Sequence, residues 1–148
     1  AVLAAAALPF AQSWRDSNRQ LQMRSQLMSG IAQARALALR NPNGFTSTDS
    51  TPVEVARLSY DSGSRILRLT SKNADGSWPA SNTTPLWQST APSGDLSLRL
   101  VGTGDNFTCV AYDSRGRPLN SGTCALPADT RQVAVNVSSQ GAINGDLL

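Results

Sequence analysis

The first forty residues of the chain form one continuous pattern that favours a single long helix. Residues 1–10 are almost entirely apolar, and mixed polar and apolar residues then follow without a break as far as Arg40. Forty helical residues span about 60 Å, which exceeds a small domain, so part of such a helix must project. We predict a helix over residues 1–41, with a core-facing stripe at steps of three, four or seven. The stripe consists of Phe10, Trp14, Leu21, Met28, Ile31 and Ala38, widened by Leu27 and Ala34.

The apolar start of this helix has about half the length of a membrane span, which needs ~20 apolar residues. We interpret residues 1–11 as the trailing half of a hydrophobic helix. Pro9 bends it, because proline lacks the N–H that would bond to Ala5. The alternative is a signal-peptide core that is cleaved near residues 5–7. No basic leader precedes the run and the helical pattern continues past Pro9, so we favour the helix.

The helical pattern ends at Asn41, and a different pattern follows. Asn41 precedes a proline, which disfavours its helical conformation, and Gly44 suits a left-handed turn. From residue 50 onward, short alternating apolar runs are separated by turn clusters, without a second helical pattern. The expected strands contain Val53 to Tyr60, Ile66 to Leu69, Leu96 to Leu100, Phe107 to Ala111 and Val133 to Val137. We therefore predict an α+β fold, in which the long N-terminal helix packs on an antiparallel β-sheet head formed by residues 42–148.

The titratable residues argue against catalysis and metal binding. The chain has no His and only one Glu, Glu54. Histidine is the usual general base near neutral pH and a common metal ligand. Asn73, Asp75 and Ser77 loosely suggest a calcium loop, but a hard cation prefers several carboxylates. We expect no enzymatic activity, no cofactor or metal and no small-molecule substrate.

The chain is mildly basic, with a net charge of +3 carried by twelve Arg and one Lys. The arginines are scattered, so nucleic-acid binding is permitted but not indicated. Arg115 and Arg117 flank Gly116 at the tip of a predicted hairpin, where they can contact DNA phosphates or an acidic partner. A solvated tip is the interpretation that we favour. Glycosylation sequons begin at Asn82, Asn106 and Asn136, and we attribute them to chance in a chain rich in Ser and Thr.

The two cysteines, Cys109 and Cys124, are the only ones in the chain. An even cysteine count in a turn-rich chain indicates a disulfide formed outside the cytosol, with two buried free thiols as the alternative. Residues 113–116 favour a tight turn between them. We interpret the bridge as a staple of a small domain rather than as a rigid hairpin for subunit contact. Trp78 and Trp87 are assigned to a partial core, although they can also stack on sugars in a secreted carbohydrate- or surface-binding β-domain.

Several segments, taken in order, resemble type IV pilins. Residues 3–10, LAAAALPF, resemble the second half of the pilin helix with its proline kink. Residues 27–41, which end in ARALALRN, resemble the helix end of the GspH/FimT/FimU class of minor pilins and type II secretion pseudopilins. Residues 111–118 and 135–141 are similar to the hairpin and the final strand of that class.

The resemblance implies a non-enzymatic subunit that helps to initiate or cap a type IV pilus or a type II secretion pseudopilus. It implies prepilin processing with methylation, an inner-membrane anchor upstream of Ala1, a periplasmic head and a place at the cell surface after assembly, in adhesion or motility. Its partners are other major and minor pilins or pseudopilins, contacted by head loops and by an assembly helix of Pro9, Phe10, Trp14, Leu21, Met28 and Ile31. Some members carry a basic DNA-uptake motif where this chain has residues 141–144, GAIN. Because this stretch has no basic residue, the resemblance disfavours DNA binding, and we keep a DNA-binding pilin for natural transformation as the alternative.

Overall fold

The structure is a computed structural model that describes residues 2–92, 94–119, 124, 126, 132–137 and 141–147. Side chains of the helix are described from Trp14 onward. The fold is α+β, with one N-terminal helix and antiparallel sheets, as the sequence predicts. The elements found in these residues are α1 (Val2–Arg40), β1 (Ala56–Asp61), β2 (Ile66–Ser71), β3 (Trp87–Gln88), β4 (Ser97–Leu100), β5 (Cys109–Tyr112), β6 (Gln132–Val137) and β7 (Gly141–Asp146).

The end of α1 is set by Asn41, which adopts a left-handed conformation with φ of 45°. Its N–H donates to the Leu37 carbonyl at 3.1 Å, which closes the last helical turn. Its side-chain amide then accepts the N–H of Phe45 at 2.9 Å and donates to the Phe45 carbonyl at 2.6 Å. Gly44 is also left-handed, with φ of 67°. The predicted helix end is therefore confirmed to within one residue.

The strands form two antiparallel sheets rather than the single sheet that we predicted. The first sheet has the order β3-β2-β1-β5, and the second has the order β4-β6-β7. Alternating apolar residues identify strands but carry no information on which strands pair, so the second sheet was not visible in the sequence. The Tyr112 hydroxyl of β5 donates to the Leu147 carbonyl, just after β7, at 2.6 Å, and so joins the two sheets.

Of the seven strands in the described residues, five lie where the alternating apolar runs predict them. β1 and β2 form the predicted hairpin, in which Asp61 pairs with Ile66. The Asp61 carboxylate accepts the N–H of Gly63 at 2.9 Å and the hydroxyl of Ser64 at 2.9 Å, and so stabilises the turn. β3 and β7 were missed, because β3 has two residues and β7 contains two glycines and a single large apolar residue.

The core lies between α1 and the two sheets, and α1 contacts strands of both. Leu58 and Leu67 from the first sheet and Val133 and Val135 from the second are fully buried. The inner faces of both sheets therefore depend on the same helix for cover.

Candidate functional site

The side of α1 that faces the head is a continuous buried surface. Every one of its apolar side chains is at most 6% exposed. At about 100° per residue these positions fall on one side of the helix. Burying such a stripe stabilises the docked helix by about 25 cal/mol per Å² of apolar area. The residues are Met23, Leu27, Ile31, Ala34, Leu37 and Ala38.

At Gly30, α1 lies close against the first sheet. A methyl group added at Gly30 would lie 2.8 Å from Cζ3 of Trp87 and 3.0 Å from Cδ1 of Leu58. The glycine that weakens the helical pattern in the sequence therefore makes room for an indole ring. Trp87 is half-buried and packs on the core, as predicted.

Polar side chains fix the helix on the second sheet. The buried amide of Gln20 donates to the carbonyls of Val135 at 2.8 Å and Gly141 at 2.9 Å. Arg24 donates from Nε to the Asn144 carbonyl at 2.7 Å. These bonds hold the helix to β6 and β7 through backbone oxygens.

A second set of polar contacts joins the helix to the loop before β4. Gln26 donates to the Thr90 hydroxyl at 2.8 Å and accepts the Thr90 N–H at 2.8 Å. Arg19 forms ion pairs with Asp16 at 2.7 Å and with Asp95 at 3.6 Å. The ion pair with Asp95 thus ties α1 to the head at Arg19.

The opposite side of α1 exposes large apolar side chains. Trp14 is 69% exposed and Leu21 is 55% exposed, whereas Met23 is 1% exposed. Trp14 lies nine residues before Met23, which places it about 180° around the helix. The prediction of a core-facing stripe is therefore wrong for Trp14 and Leu21, although it is confirmed for Ile31 and Ala38, and Met28 is half-buried. The error arose because steps of seven connect Trp14 and Leu21 to Met28 along a line that the head covers at Met28 but leaves exposed at Trp14 and Leu21.

Residues N-terminal to Trp14 continue the helix back to Val2. The predicted bend at Pro9 and the predicted contact role of Phe10 lie outside the described side chains. Within the described part of the chain, no helix combines the length and the apolar character that a membrane crossing requires.

The disulfide prediction is confirmed, since Cys109 and Cys124 are bonded with a Cα–Cα distance of 5.3 Å. The predicted turn between them is also present, because the Asp113 carboxylate accepts the N–H groups of Arg115 at 2.9 Å and Arg117 at 3.0 Å. On the returning side of the turn, Pro118 forms an isolated antiparallel bridge with Tyr112.

The tip of this hairpin rests on the end of α1. Arg35 donates from Nε to the Gly116 carbonyl at 3.2 Å. A methyl group at Gly116 would lie 3.2 Å from Cγ of Leu39, and its φ of 74° favours glycine. The hairpin is thus held both by the disulfide and by the helix.

Arg115 and Arg117, the candidate partner or DNA contacts, share one carboxylate. Asp49 lies 2.6 Å from Arg115 and 3.0 Å from Arg117, and both arginines remain about half exposed. The hydrogen bonds from Arg117 and then Arg115 lower the pKa of Asp49. Asp113 lies 3.7 Å from Arg117 as a second negative charge. The two arginines are exposed as predicted, but Gly116 between them is buried, and the arginines are paired rather than free.

The remaining candidate residues are engaged within the head. Trp78 carries the Arg57 guanidinium 4.3 Å from its ring centroid, so one face of the indole is covered. In the calcium-like loop, the Asp75 carboxylate accepts the N–H of Ser77 at 2.9 Å and its hydroxyl at 2.6 Å, and Asn73 donates to the same hydroxyl at 3.1 Å. The described residues contain no group of three or more acidic, Cys or His side chains that could hold a metal ion.

Sequence reasoning missed the partners of several of these residues. Asp49 lies in a Ser- and Thr-rich loop more than sixty positions before the arginines, so no local signal connects them. Gln20 lies on the buried side of α1, and a polar residue inside an apolar stripe was the signal that could have identified it as an anchor. Comparison of the chain with protein-family models, with curated proteins and with solved structures finds no match.

Proposed function

We propose that the chain is a minor pilin or pseudopilin, a structural subunit that helps to initiate or cap assembly of a type IV pilus or a type II secretion pseudopilus. One observation carries the proposal. α1 is docked on the head along one side and presents Trp14 and Leu21, both more than half exposed, on the other. An apolar surface on both sides of one helix suits a helix that packs on its own head and on other helices.

The length of α1 supports this role. From Arg19, which pairs with Asp95 of the head, the helix continues for another 17 residues to Val2. At 1.5 Å per residue this stretch measures about 25 Å. Under the proposal it packs with the helices of neighbouring subunits, and Trp14 and Leu21 lie where that packing passes into the head.

The disulfide supports the cellular location that the proposal requires. Disulfides form and persist in the periplasm and at the cell surface, and Cys109 is bonded to Cys124. Under the proposal the chain is anchored in the inner membrane by residues upstream of Ala1, exposes its head to the periplasm and reaches the cell surface or the pseudopilus on assembly. The role is structural and requires no catalytic group.

The test substitutes the two exposed apolar residues of α1 in the full-length protein, expressed in the bacterium that produces it. We expect the double variant Trp14→Asp/Leu21→Asp to form no surface filaments and not to co-purify with other pilins. Each substitution places a charged side chain in a contact between helices that is otherwise apolar. The matched control is Leu86→Asp, which changes a residue 65% exposed on the head. Thermal unfolding of the isolated chain should be unchanged in both variants. Normal assembly by the Trp14/Leu21 double variant would refute the proposal.

A salt-dependent gel shift with duplex DNA distinguishes the DNA-binding alternative from a purely structural role in assembly. Asp49 offsets part of the positive charge of Arg115 and Arg117. We expect no shift at physiological salt, where a duplex contact requires several unpaired cations. A shift that Arg115→Ala with Arg117→Ala removes would favour the DNA-binding pilin instead.

A further inference from the structure

A cleft at the end of β2 has features that neither the core nor the helix contacts explain. It has a volume of about 260 Å³ and lies between the end of β2, the loop after α1 and the loop before β3. Ligand pockets for drug-sized molecules measure about 300–1,000 Å³, so this cleft suits one small ring. Its lining residues are Asn43, Thr70, Ser71, Lys72, Asn73, Pro79, Thr83, Thr84 and Leu86.

The charge in this cleft comes from Lys72, the single lysine of the chain. Its ammonium lies 5.6 Å from the ring centroid of Phe45 and 5.9 Å from that of Trp78. Among the ion pairs found in the described part of the chain, none includes Lys72. The lining contains no carboxylate, so no lining residue neutralises the positive charge that the half-buried Lys72 brings to the cleft.

The rest of the lining matches a polyhydroxylated ligand. Four hydroxyls and two amides line the cleft, together with the apolar side chains of Pro79 and Leu86. The hydroxyl oxygen of Thr70 is buried and has no hydrogen-bond partner within the described residues, so a bound polar group or water that reaches it would relieve an energetic cost. Hydroxyls and amides can donate and accept, as sugar hydroxyls do, and Pro79 and Leu86 suit the C–H face of a sugar ring.

We propose that this cleft binds an acidic saccharide, that is, one sugar ring whose carboxylate pairs with Lys72. The carboxylate supplies the missing anion, the ring hydroxyls bond to Thr83 and Thr84, and Leu86 covers one face of the ring. A duplex nucleic acid does not fit these features, because its binding neutralises a row of phosphates and the cleft has one cation. The inference is independent of the assembly role, since no residue of the exposed helix surface takes part.

The experiment titrates the purified chain with glucuronate, with glucose and with inorganic phosphate, and follows amide chemical shifts by NMR. We expect glucuronate to bind and glucose to bind at least about tenfold more weakly, because a hydrogen bond to a charged group contributes about 1.5–3 kcal/mol. Lys72→Gln should weaken glucuronate binding about tenfold. Arg99→Gln, which removes one positive charge from an exposed position on β4, should leave it unchanged.

Thr84→Val serves as a second variant at an exposed position and should weaken glucuronate binding several-fold without altering thermal unfolding. The proposal is overturned if glucuronate does not bind at high millimolar concentration, or if Lys72→Gln binds it as the wild type does. Phosphate that binds as tightly as glucuronate would overturn the saccharide assignment, since the cleft would then recognise any oxyanion.

Discussion

Gly30→Ala tests the close approach between α1 and the first sheet, and we expect it to destabilise the protein by about 1 kcal/mol. The added methyl lies 2.8 Å from Trp87 and 3.0 Å from Leu58, well inside the ~3.5–4.0 Å of a relaxed carbon contact. Overpacking of this kind costs about 1–3 kcal/mol. Replacing a glycine by alanine inside a helix gains about 1 kcal/mol. The difference leaves a net loss of about 1 kcal/mol, which lowers Tm by about 2–4 °C in a chain of this size.

The assay is urea unfolding followed by tryptophan fluorescence, with calorimetry for Tm. Ala32→Gly, at an exposed position two residues along the helix, isolates the propensity effect and should cost about 1 kcal/mol. In a Trp87→Leu background the added methyl meets less crowding, so Gly30→Ala should become stabilising. A rise in Tm for Gly30→Ala in the otherwise unchanged protein would refute the close approach and, with it, the docking geometry of α1.

Further predictions concern three sites of the head, namely the disulfide, Tyr112 and Asp49. Replacing Cys109 and Cys124 by Ala should lower the free energy of unfolding by about 3 kcal/mol in urea unfolding, since their bridge closes a loop of 15 residues. Tyr112→Phe should cost about 1–3 kcal/mol, because the Leu147 carbonyl loses its buried donor. Burial raises the pKa of Tyr112, so the free energy of unfolding should fall above about pH 10, where the unfolded chain deprotonates at this residue. Tyr112→Phe should reduce this alkaline loss of stability when unfolding is measured as a function of pH. An unchanged loss would contradict the prediction. Arg117 and Arg115 lower the pKa of Asp49, so the charged carboxylate stabilises the folded state above about pH 4. This stability is lost as the pH falls through the folded-state pKa of Asp49. The difference in unfolding free energy between the wild type and Asp49→Asn should therefore vanish at low pH.

The fold class could be predicted from the sequence because two periodicities divide the chain. A period near 3.6 extends to Arg40 and a period of two follows it, and Asn41 before a proline separates them. The pairing of strands could not be predicted, since alternation shows which residues share a face and not which strand lies beside it. β7 was not predicted, because its glycines interrupt the alternating pattern, although it forms one edge of the second sheet.

The candidate site could be predicted only in part, because a helix can be apolar on more than one side. Steps of seven join Trp14 to Leu21 and Met28, whereas steps of four join Met23, which the predicted stripe left out, to Leu27 and Ile31. Both series look like a core stripe when the partner surface is unknown. Only the position of the head distinguishes the buried series from the exposed one. The pairing of the two cysteines could be predicted because the chain has no other cysteine.

Among the described residues, the acceptors that hold α1 to the second sheet are main-chain oxygens, at Val135, Gly141 and Asn144. Every amino acid supplies the same carbonyl, so substitutions along β6 and β7 that preserve the backbone leave these bonds available. Gln20 and Arg24 have no such freedom, because only their side chains supply the donors. Natural variation among close homologues should therefore be wide at the exposed positions of these two strands and narrow at Gln20 and Arg24, an asymmetry that a collection of related sequences would display directly.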